Sequence, residues 1–185
     1  MLLFKDSKAE NTITALTLAI DKAKELDTDI VLSSNSGDCA FKALKLAKEA
    51  DFSGKIIVVT QVWGMSGIGK NPMPEQARQK LSDAGAILIT AAHTLSGAER
   101  ALSGKFTGVY PVEIIAYTLR MISQGVKVAV EIAAMALDAG ALPEPYPVLA
   151  LGGSSGGLDT ACLLTPGYSA KIFDTKVHEI LCKPY

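Results

Sequence analysis

The sequence contains few of the residues that usually identify a metal site, a disulfide framework or a nucleic-acid surface. Its three cysteines, Cys39, Cys162 and Cys182, are isolated and odd in number, so neither a disulfide framework nor a zinc site is predicted. We expect them to be small buried apolar residues in a reducing cytoplasm, and we expect no bound metal. The formal net charge is -1 and no basic patch stands out. Nucleic acid is therefore not an expected partner.

A long uninterrupted apolar run is also missing. The most apolar stretch, Val126–Leu142, contains Lys127, Glu131 and Asp138, which argues against a membrane span. We interpret Lys127 and Glu131 as an ordinary solvated pair one helical turn apart. The start of the chain is too short and too soon charged to be expected to act as a signal peptide.

The elements that are present alternate between strand and helix. At 185 residues the chain suits one compact domain, residues 1–185. Continuous apolar strands separated by helices predict a three-layer α/β/α sandwich around a mainly parallel sheet, and two later strands can form an antiparallel edge. The predicted strands are Asp29–Ser33, Ile56–Thr60, Ala86–Ile89, Val148–Leu151, Thr160–Leu164 and Val177–Leu181. The predicted helices begin at Asn11 or Thr12, near Asp38, at Pro74, at Pro111 and at Val126, and the one that begins at Pro111 is predicted to end near Ser123.

The order of these strands decides which loops lie together. We predict that the first four are arranged third, second, first, fourth in the sheet. Ligands of such sheets bind outside the carboxyl ends of the strands, where the strand order reverses. This order places the loop Ser33–Gly37 beside the glycine-rich loop Gly152–Gly157, and both would face one crevice.

The loop Ser33–Gly37 has the composition of an anion site. It joins a buried strand to a helix, whose first N–H groups lack internal partners and whose dipole favours negative charge. Gly37 allows close approach of a ligand. A phosphate-bearing small molecule is the predicted ligand. The alternative is that Ser36 only caps its own helix.

Two catalytic motifs are nearly matched. Gly64–Asn71 reads G-x-x-x-x-G-K-N, but Asn71 replaces the hydroxyl residue of a P-loop and no helix can follow at once. Gly152–Gly156 fits G-x-S-x-G, yet a strand rather than a helix is predicted after it. A serine hydrolase with Ser154 or Ser155 as nucleophile and His93 as base is thus a minor alternative.

The run AHTLSGAER, followed by KFTGVYPVEIIAYTLRMISQGVKVAVEIAAMALDAG, resembles the small stand-alone proteins described as the α/β domain of pyruvate kinase. NTITALTLAIDKAKEL near the start matches as well, and so do LGGSSGGLDTACLL and FDTKVHEILCKP near the end. The similarity covers nearly the whole chain and is weakest in Gln61–Met73.

This resemblance implies the fold of the carboxyl-terminal regulatory domain of pyruvate kinase. In some full-length enzymes a serine and threonine loop of that domain, matching Ser33 to Asp38 here, holds a phosphorylated sugar effector. The catalytic barrel is absent, so no pyruvate kinase activity is expected. Similar stand-alone members are associated with flavin mononucleotide (FMN), without an established reaction.

The residues and the resemblance together predict an FMN-binding α/β protein whose reaction the sequence does not identify, with a redox role favoured for the bound flavin. The alternative is a non-catalytic sensor of a phosphorylated metabolite such as a sugar phosphate. His93 is the candidate catalytic residue, taken as exposed, and Trp63 would either stack on the flavin ring or cover the sheet end. The predicted cofactor-binding residues are Ser34, Asn35, Ser36, Gly37, Asp38, Gly153, Ser154 and Ser155 around the phosphate, and Thr60, Trp63, Thr90, His93 and Thr94 around the ribityl chain or ring, with Tyr110 as a further ring contact.

The sequence leaves the oligomeric state open. The apolar helix within Val126–Leu142 suits either the core or a homo-oligomer interface. The expected surroundings of the protein are the cytoplasm, with a small molecule as its partner and no membrane.

Overall fold

A computed structural model of the chain describes residues 1–154 and 156–185, and its strands in these residues form a single mixed sheet. The strands are β1 (Leu2–Phe4), β2 (Ile30–Ser33), β3 (Ile56–Val59), β4 (Ile87–Ile89), β5 (Val148–Gly152), β6 (Thr160–Thr165) and β7 (Lys176–Pro184). The helices are α1 (Thr12–Leu26), α2 (Asp38–Glu49), α3 (Glu75–Asp83), α4 (Glu99–Phe106), α5 (Pro111–Arg120) and α6 (Gln124–Asp138), with 3-10 turns at Ala9–Asn11 and Ser169–Asp174.

The sheet has the order β1-β7-β6-β5-β2-β3-β4. The four strands β4, β3, β2 and β5 are parallel neighbours, so the predicted order is confirmed. Strand β6 runs antiparallel to both β5 and β7, as expected. The prediction missed β1, which pairs parallel to β7 and forms the edge. Three residues are too few for a periodic pattern to identify a strand.

Both faces of the sheet are covered, as the continuous apolar strands require. On one face Leu32, Val58 and Leu151 pack in a core with α1, α2 and α3. On the other face Val31 and Ala150 pack with α5 and α6. The three-layer α/β architecture predicted from the sequence is therefore confirmed.

Helix α6 lies in the core along most of its length. Every residue from Gly125 to Leu137 except Val128 is buried, because small residues such as Ala129 and Ala133 let the helix lie close to the sheet. Of the two roles considered for this helix, packing in the core is the one that the structure shows. No helix within the described residues is long and apolar enough to cross a membrane.

The helical region before α6 differs from the prediction in two places. The helix predicted to run to Ser123 ends at Arg120, and Ser123 caps α6 by accepting a hydrogen bond of 3.0 Å from the Val126 N–H. Helix α4 was not predicted. It is only eight residues long and has no buried residue, and Leu102 and Phe106 are its only large apolar residues, too few for periodicity to identify a helix.

Candidate functional site

A cavity of about 460 Å³ opens at the carboxyl ends of β2, β3 and β5, within the size range of small-molecule sites. Seven of the predicted site residues line it: Ser34, Asn35, Ser36, Thr60, His93, Gly153 and Ser154. The remaining described lining residues are Ser33, Cys39, Val59, Pro72, Gln124, Val128, Glu131, Ile132, Met135, Gly156 and Gly157. The two loops singled out from the sequence therefore face one cavity, as the strand order predicts.

The loop after β2 forms the first side of the cavity. Gly37 is the N-cap of α2 with φ +102°, in the left-handed region that favours glycine. The Ser36 Oγ accepts from the Asp38 N–H at 3.3 Å, and the Ser34 Oγ accepts from the Ala40 N–H at 3.4 Å. Both bonds are longer than is usual. Ser36 therefore makes only a weak capping hydrogen bond to its own helix. Its hydroxyl and the first turn of α2 are thus suited to binding an anion.

The glycine-rich loop after β5 forms the second side. A Cβ built on Gly153 would lie 2.0 Å from the Gly157 carbonyl oxygen, and one on Gly157 would lie 2.5 Å from the Ala9 Cα. These glycines let the loop fold back on itself and pack against the start of α1. Packing accounts for them with or without a ligand. The predicted site residue Ser155 lies outside the described residues.

Ser154 does not form the arrangement of a serine hydrolase. Its hydroxyl makes hydrogen bonds to the Ser7 hydroxyl and to Asp159, and no hydrogen bond joins it to His93 within the described residues. Strand β6 follows at Thr160 where the hydrolase motif requires a helix. The geometry gives the hydrolase alternative no support.

The P-loop-like segment is likewise a structural turn. The Asn71 side chain donates to the Gln61 carbonyl at 2.6 Å and accepts from the Met73 N–H at 2.9 Å. Helix α3 begins only at Glu75. The segment therefore lacks the strand–loop–helix geometry that cradles a triphosphate.

Helix α6 supplies the third side, and here the interpretation of Lys127 and Glu131 as a solvated pair is wrong. Each residue is only 4% exposed, and their side chains form a buried ion pair. The other Glu131 oxygen, Oε1, accepts from the Leu95 N–H at 2.9 Å. The prediction failed because a four-residue spacing is the same in a solvated pair and in a buried pair. The pair is buried here because the turn that contains His93 and Leu95, which is distant in sequence, packs over it.

Burial sets the electrostatics of this wall. It lowers the pKa of the Lys127 ammonium, and Glu131 opposes that shift by pairing with it. Burial also raises the pKa of the Cys39 thiol on the facing side of the cavity. Cys39 is thus a protonated and weakly nucleophilic thiol at neutral pH, in agreement with its predicted role as a small apolar residue.

His93 is partly buried rather than exposed. Burial is the main cause that lowers the pKa of its imidazole. The carboxylate of Glu131 raises this pKa, whereas the charges of Lys127 and Arg100 lower it. The net effect keeps His93 neutral at pH 7, so one ring nitrogen can accept a proton and the other can donate one.

We expect this shift to appear in the pH dependence of stability. Below the ordinary histidine pKa of 6.5 the unfolded chain takes up a proton that folded His93 resists, so the free energy of unfolding should decrease as pH falls through that window. In His93→Gln this contribution is gone, and the decrease between about pH 6.5 and pH 5 should be smaller. Urea unfolding of both proteins at pH 6.5 and pH 5 measures the two decreases in the free energy of unfolding. Equal decreases in the two proteins would contradict the shift.

A polar chain extends from the cavity to the ends of β3 and β4. The Thr60 and Thr90 hydroxyl oxygens are 2.6 Å apart, and the Arg78 Nη2 donates to the Thr90 Oγ1 at 3.1 Å. The guanidinium carbon lies 6.0 Å from the centroid of the Trp63 ring. Trp63 therefore lies beside Arg78 and is not among the residues that line the cavity, and both of its predicted roles stay predictions. Thr90 does not line the cavity itself, but its hydroxyl contacts that of Thr60, which does.

The other predicted residues lie around the cavity rather than on its lining. Gly37 is buried behind the loop and Asp38 is exposed at the start of α2. Thr94 follows His93, and Tyr110 is the N-cap of α5. Among the lining residues not predicted, Glu131 had a detectable signal. It is a charged residue within the stretch that the sequence marks as the most apolar.

Comparison of the sequence with known protein families finds none that matches.

Proposed function

We propose that this chain binds a phosphate-bearing small molecule, FMN, in the cavity at the carboxyl ends of β2, β3 and β5. The observation that carries the proposal is that Ser34–Ser36, the first turn of α2, Gly153 and Ser154 all line this one cavity. Hydroxyls and helix N–H groups together are typical of a phosphate site. The resemblance to stand-alone pyruvate kinase α/β-domain proteins supports FMN as the ligand. We propose no pyruvate kinase activity.

The opposite wall suits a flat apolar ring. Val128, Ile132 and Met135 follow one another along the cavity face of α6, at spacings that place them on one side of the helix. Their side chains would pack on the flavin ring while the loop after β2 holds the phosphate. A bound flavin supplies electron and hydride transfer. Neutral His93 lines the same cavity and would exchange a proton with the ligand.

A sensor of a sugar phosphate is the second candidate. No Phe, Tyr or Trp side chain lines the cavity among the described residues, whereas Asn35, Gln124 and Glu131 offer polar groups to ligand hydroxyls. A sugar phosphate would use the same phosphate loop but would pair its hydroxyls with these side chains. The two candidate ligands therefore share the phosphate group and differ in the rest of the molecule, a flavin ring in one and a sugar in the other.

The ligand that accompanies the purified protein distinguishes the candidates. An FMN protein purifies yellow, absorbs near roughly 450 nm and releases FMN that mass spectrometry identifies. A colourless protein that does not bind added FMN but binds a sugar phosphate would support the sensor. Screening NADH, NADPH and other donors for loss of the flavin absorbance then tests the redox role.

Replacing Ser36 with Asp is expected to weaken FMN binding at least tenfold, or about 1.4 kcal/mol. The new carboxylate would stand beside the ligand's phosphate, where like charges repel. Titration of FMN by fluorescence quenching measures both affinities, and the folding of each protein is checked by circular dichroism.

Two controls separate a local effect from a general one. Ser53→Asp makes the same charge change at an exposed position just before β3, at the other end of that strand, and should leave FMN affinity unchanged. Riboflavin, which lacks the phosphate, should bind wild type and Ser36→Asp with similar low affinity. If FMN binds Ser36→Asp as tightly as wild type, the loop after β2 is not part of the site.

A further inference from the structure

Helices α4 and α5 together present a large apolar surface to solvent. Its six side chains are between 42% and 85% exposed. We call this the α4–α5 surface, and its members are Leu102, Phe106, Val109, Ile114, Tyr117 and Met121. Four of them, Val109, Ile114, Tyr117 and Met121, line one groove. Isolated exposed apolar residues are normal, but a cluster of large exposed apolar side chains is typical of a protein–protein contact.

Helix α5 shows the feature most clearly, because it is apolar on two opposite sides. Val112, Ile115 and Leu119 face inward and pack against the core beneath α6. Ile114, Tyr117 and Met121 face outward and line one groove. A helix that is apolar all round is normally buried on all sides. The outer side of α5 is therefore expected to be covered in the assembled protein.

The surface is already held in shape. The Glu99 carboxylate, from the first turn of α4, accepts a hydrogen bond of 2.9 Å from the Val112 N–H at the start of α5. This bond joins the two helices without any partner present. A preorganised surface loses little conformational entropy on association.

The charges beside the apolar groove indicate what covers it. Glu113 lines the groove near the amino end of α5, and the Arg120 guanidinium lies over the Tyr117 ring, 4.9 Å from its centroid, near the carboxyl end. Residues 113 and 120 are seven apart and therefore lie along one side of the helix, about 10 Å from each other. The two ends of this side carry opposite charges.

Such a pattern is complementary to itself. If two copies of α5 pack antiparallel around a two-fold axis near Tyr117, Glu113 of each copy approaches Arg120 of the other. Ile114 then meets the region of Met121. A two-fold interface requires this kind of self-complementarity, since the same patch must serve on both subunits.

We propose that the protein forms a homodimer through the α4–α5 surface, with α5 packed antiparallel against α5 of a second copy. Six large side chains that are on average more than half exposed form an apolar centre of several hundred Å², and a polar rim brings it towards the roughly 800 Å² per subunit of a standard interface. This surface is the outer side of α4 and α5, whereas α6 packs against the inner side of α5. The proposal does not depend on the identity of the ligand.

The molar mass in solution tests the dimer. The 185-residue chain has a mass of 19.4 kDa, and sedimentation or light scattering over a concentration series should give twice that value. Tyr117→Lys places two ammonium groups near the axis and should raise the dissociation constant at least tenfold. The matched control Phe173→Lys, at a position 84% exposed outside this surface, should not change it. A monomeric wild type up to about 200 μM, or equal effects of the two variants, would overturn the proposal.

Charge reversal tests the antiparallel arrangement. Glu113→Arg alone and Arg120→Glu alone should each weaken the dimer, because each places like charges opposite one another. The double variant restores opposite charges and should regain most of the affinity. A double variant that is weaker than both single variants would overturn the α5-to-α5 pairing. Circular dichroism of every variant confirms that the fold is retained.

Discussion

Replacing Lys127 with Met is expected to lower the free energy of unfolding by about 3–5 kcal/mol. The Lys127 side chain is buried with that of Glu131, so the substitution leaves a nearly buried carboxylate at the cavity wall with the Leu95 N–H as its remaining hydrogen-bond partner. An uncompensated buried charge is far more costly than the loss of the pair itself. Urea unfolding at pH 7 measures the change.

Two further variants identify the cause. Lys127→Met combined with Glu131→Gln removes both charges and retains an oxygen for the Leu95 N–H, so it should recover more than half of the loss. Lys45→Met removes a cation from an exposed pair with the same four-residue spacing, Lys45 and Glu49, and should cost less than about 1 kcal/mol. If Lys127→Met costs no more than Lys45→Met, the pair is solvated after all.

Gly125→Ala is expected to destabilise the protein by about 1–3 kcal/mol, although alanine is the better helix former. The new Cβ would lie 2.0 Å from the Thr160 Oγ1 and 2.4 Å from the Thr160 Cβ. Thr160 is fully buried in β6 and cannot turn away without disturbing the bond from its hydroxyl to Asp159. The change would force α6 away from the sheet and so widen the cavity, which α6 lines on one side. Thermal or urea unfolding measures the loss.

Gly104→Ala is the matched control for that prediction. Gly104 is also a helical glycine, in α4, but a Cβ there meets nothing within 4 Å. Helix propensity alone then operates, and this variant should gain up to about 1 kcal/mol. If both substitutions were stabilising, the close approach of α6 to β6 would not exist in the protein.

The central sheet could be predicted because its signal is local. Ile30–Leu32 and Ile56–Val59 are short apolar runs bounded by polar residues, and their connections through helices require parallel pairing. From that order, the meeting of the Ser33–Gly37 loop with the glycine-rich loop follows by topology. The part of the site that lies at strand ends was therefore accessible from the sequence.

The α6 side of the cavity was not accessible in the same way. Whether Lys127 and Glu131 face water or protein depends on the turn at His93–Leu95, which covers them from more than 30 residues away in the chain. The spacing of Lys127 and Glu131 in the sequence contains no information on whether another segment packs over them. The same holds for His93, whose lowered pKa results from burial and from charges on other elements.

The hydrogen bond from the Leu95 N–H to Glu131 has a kinetic consequence. Leu95 belongs to a loop, where amide hydrogens usually exchange quickly with solvent, but it is 2% exposed and its N–H is held by a buried carboxylate. Exchange at this amide requires the His93–Leu95 turn to lift away from α6. Its rate therefore reports how often this wall of the cavity opens, and a ligand that binds only the closed form would slow it in proportion to its occupancy.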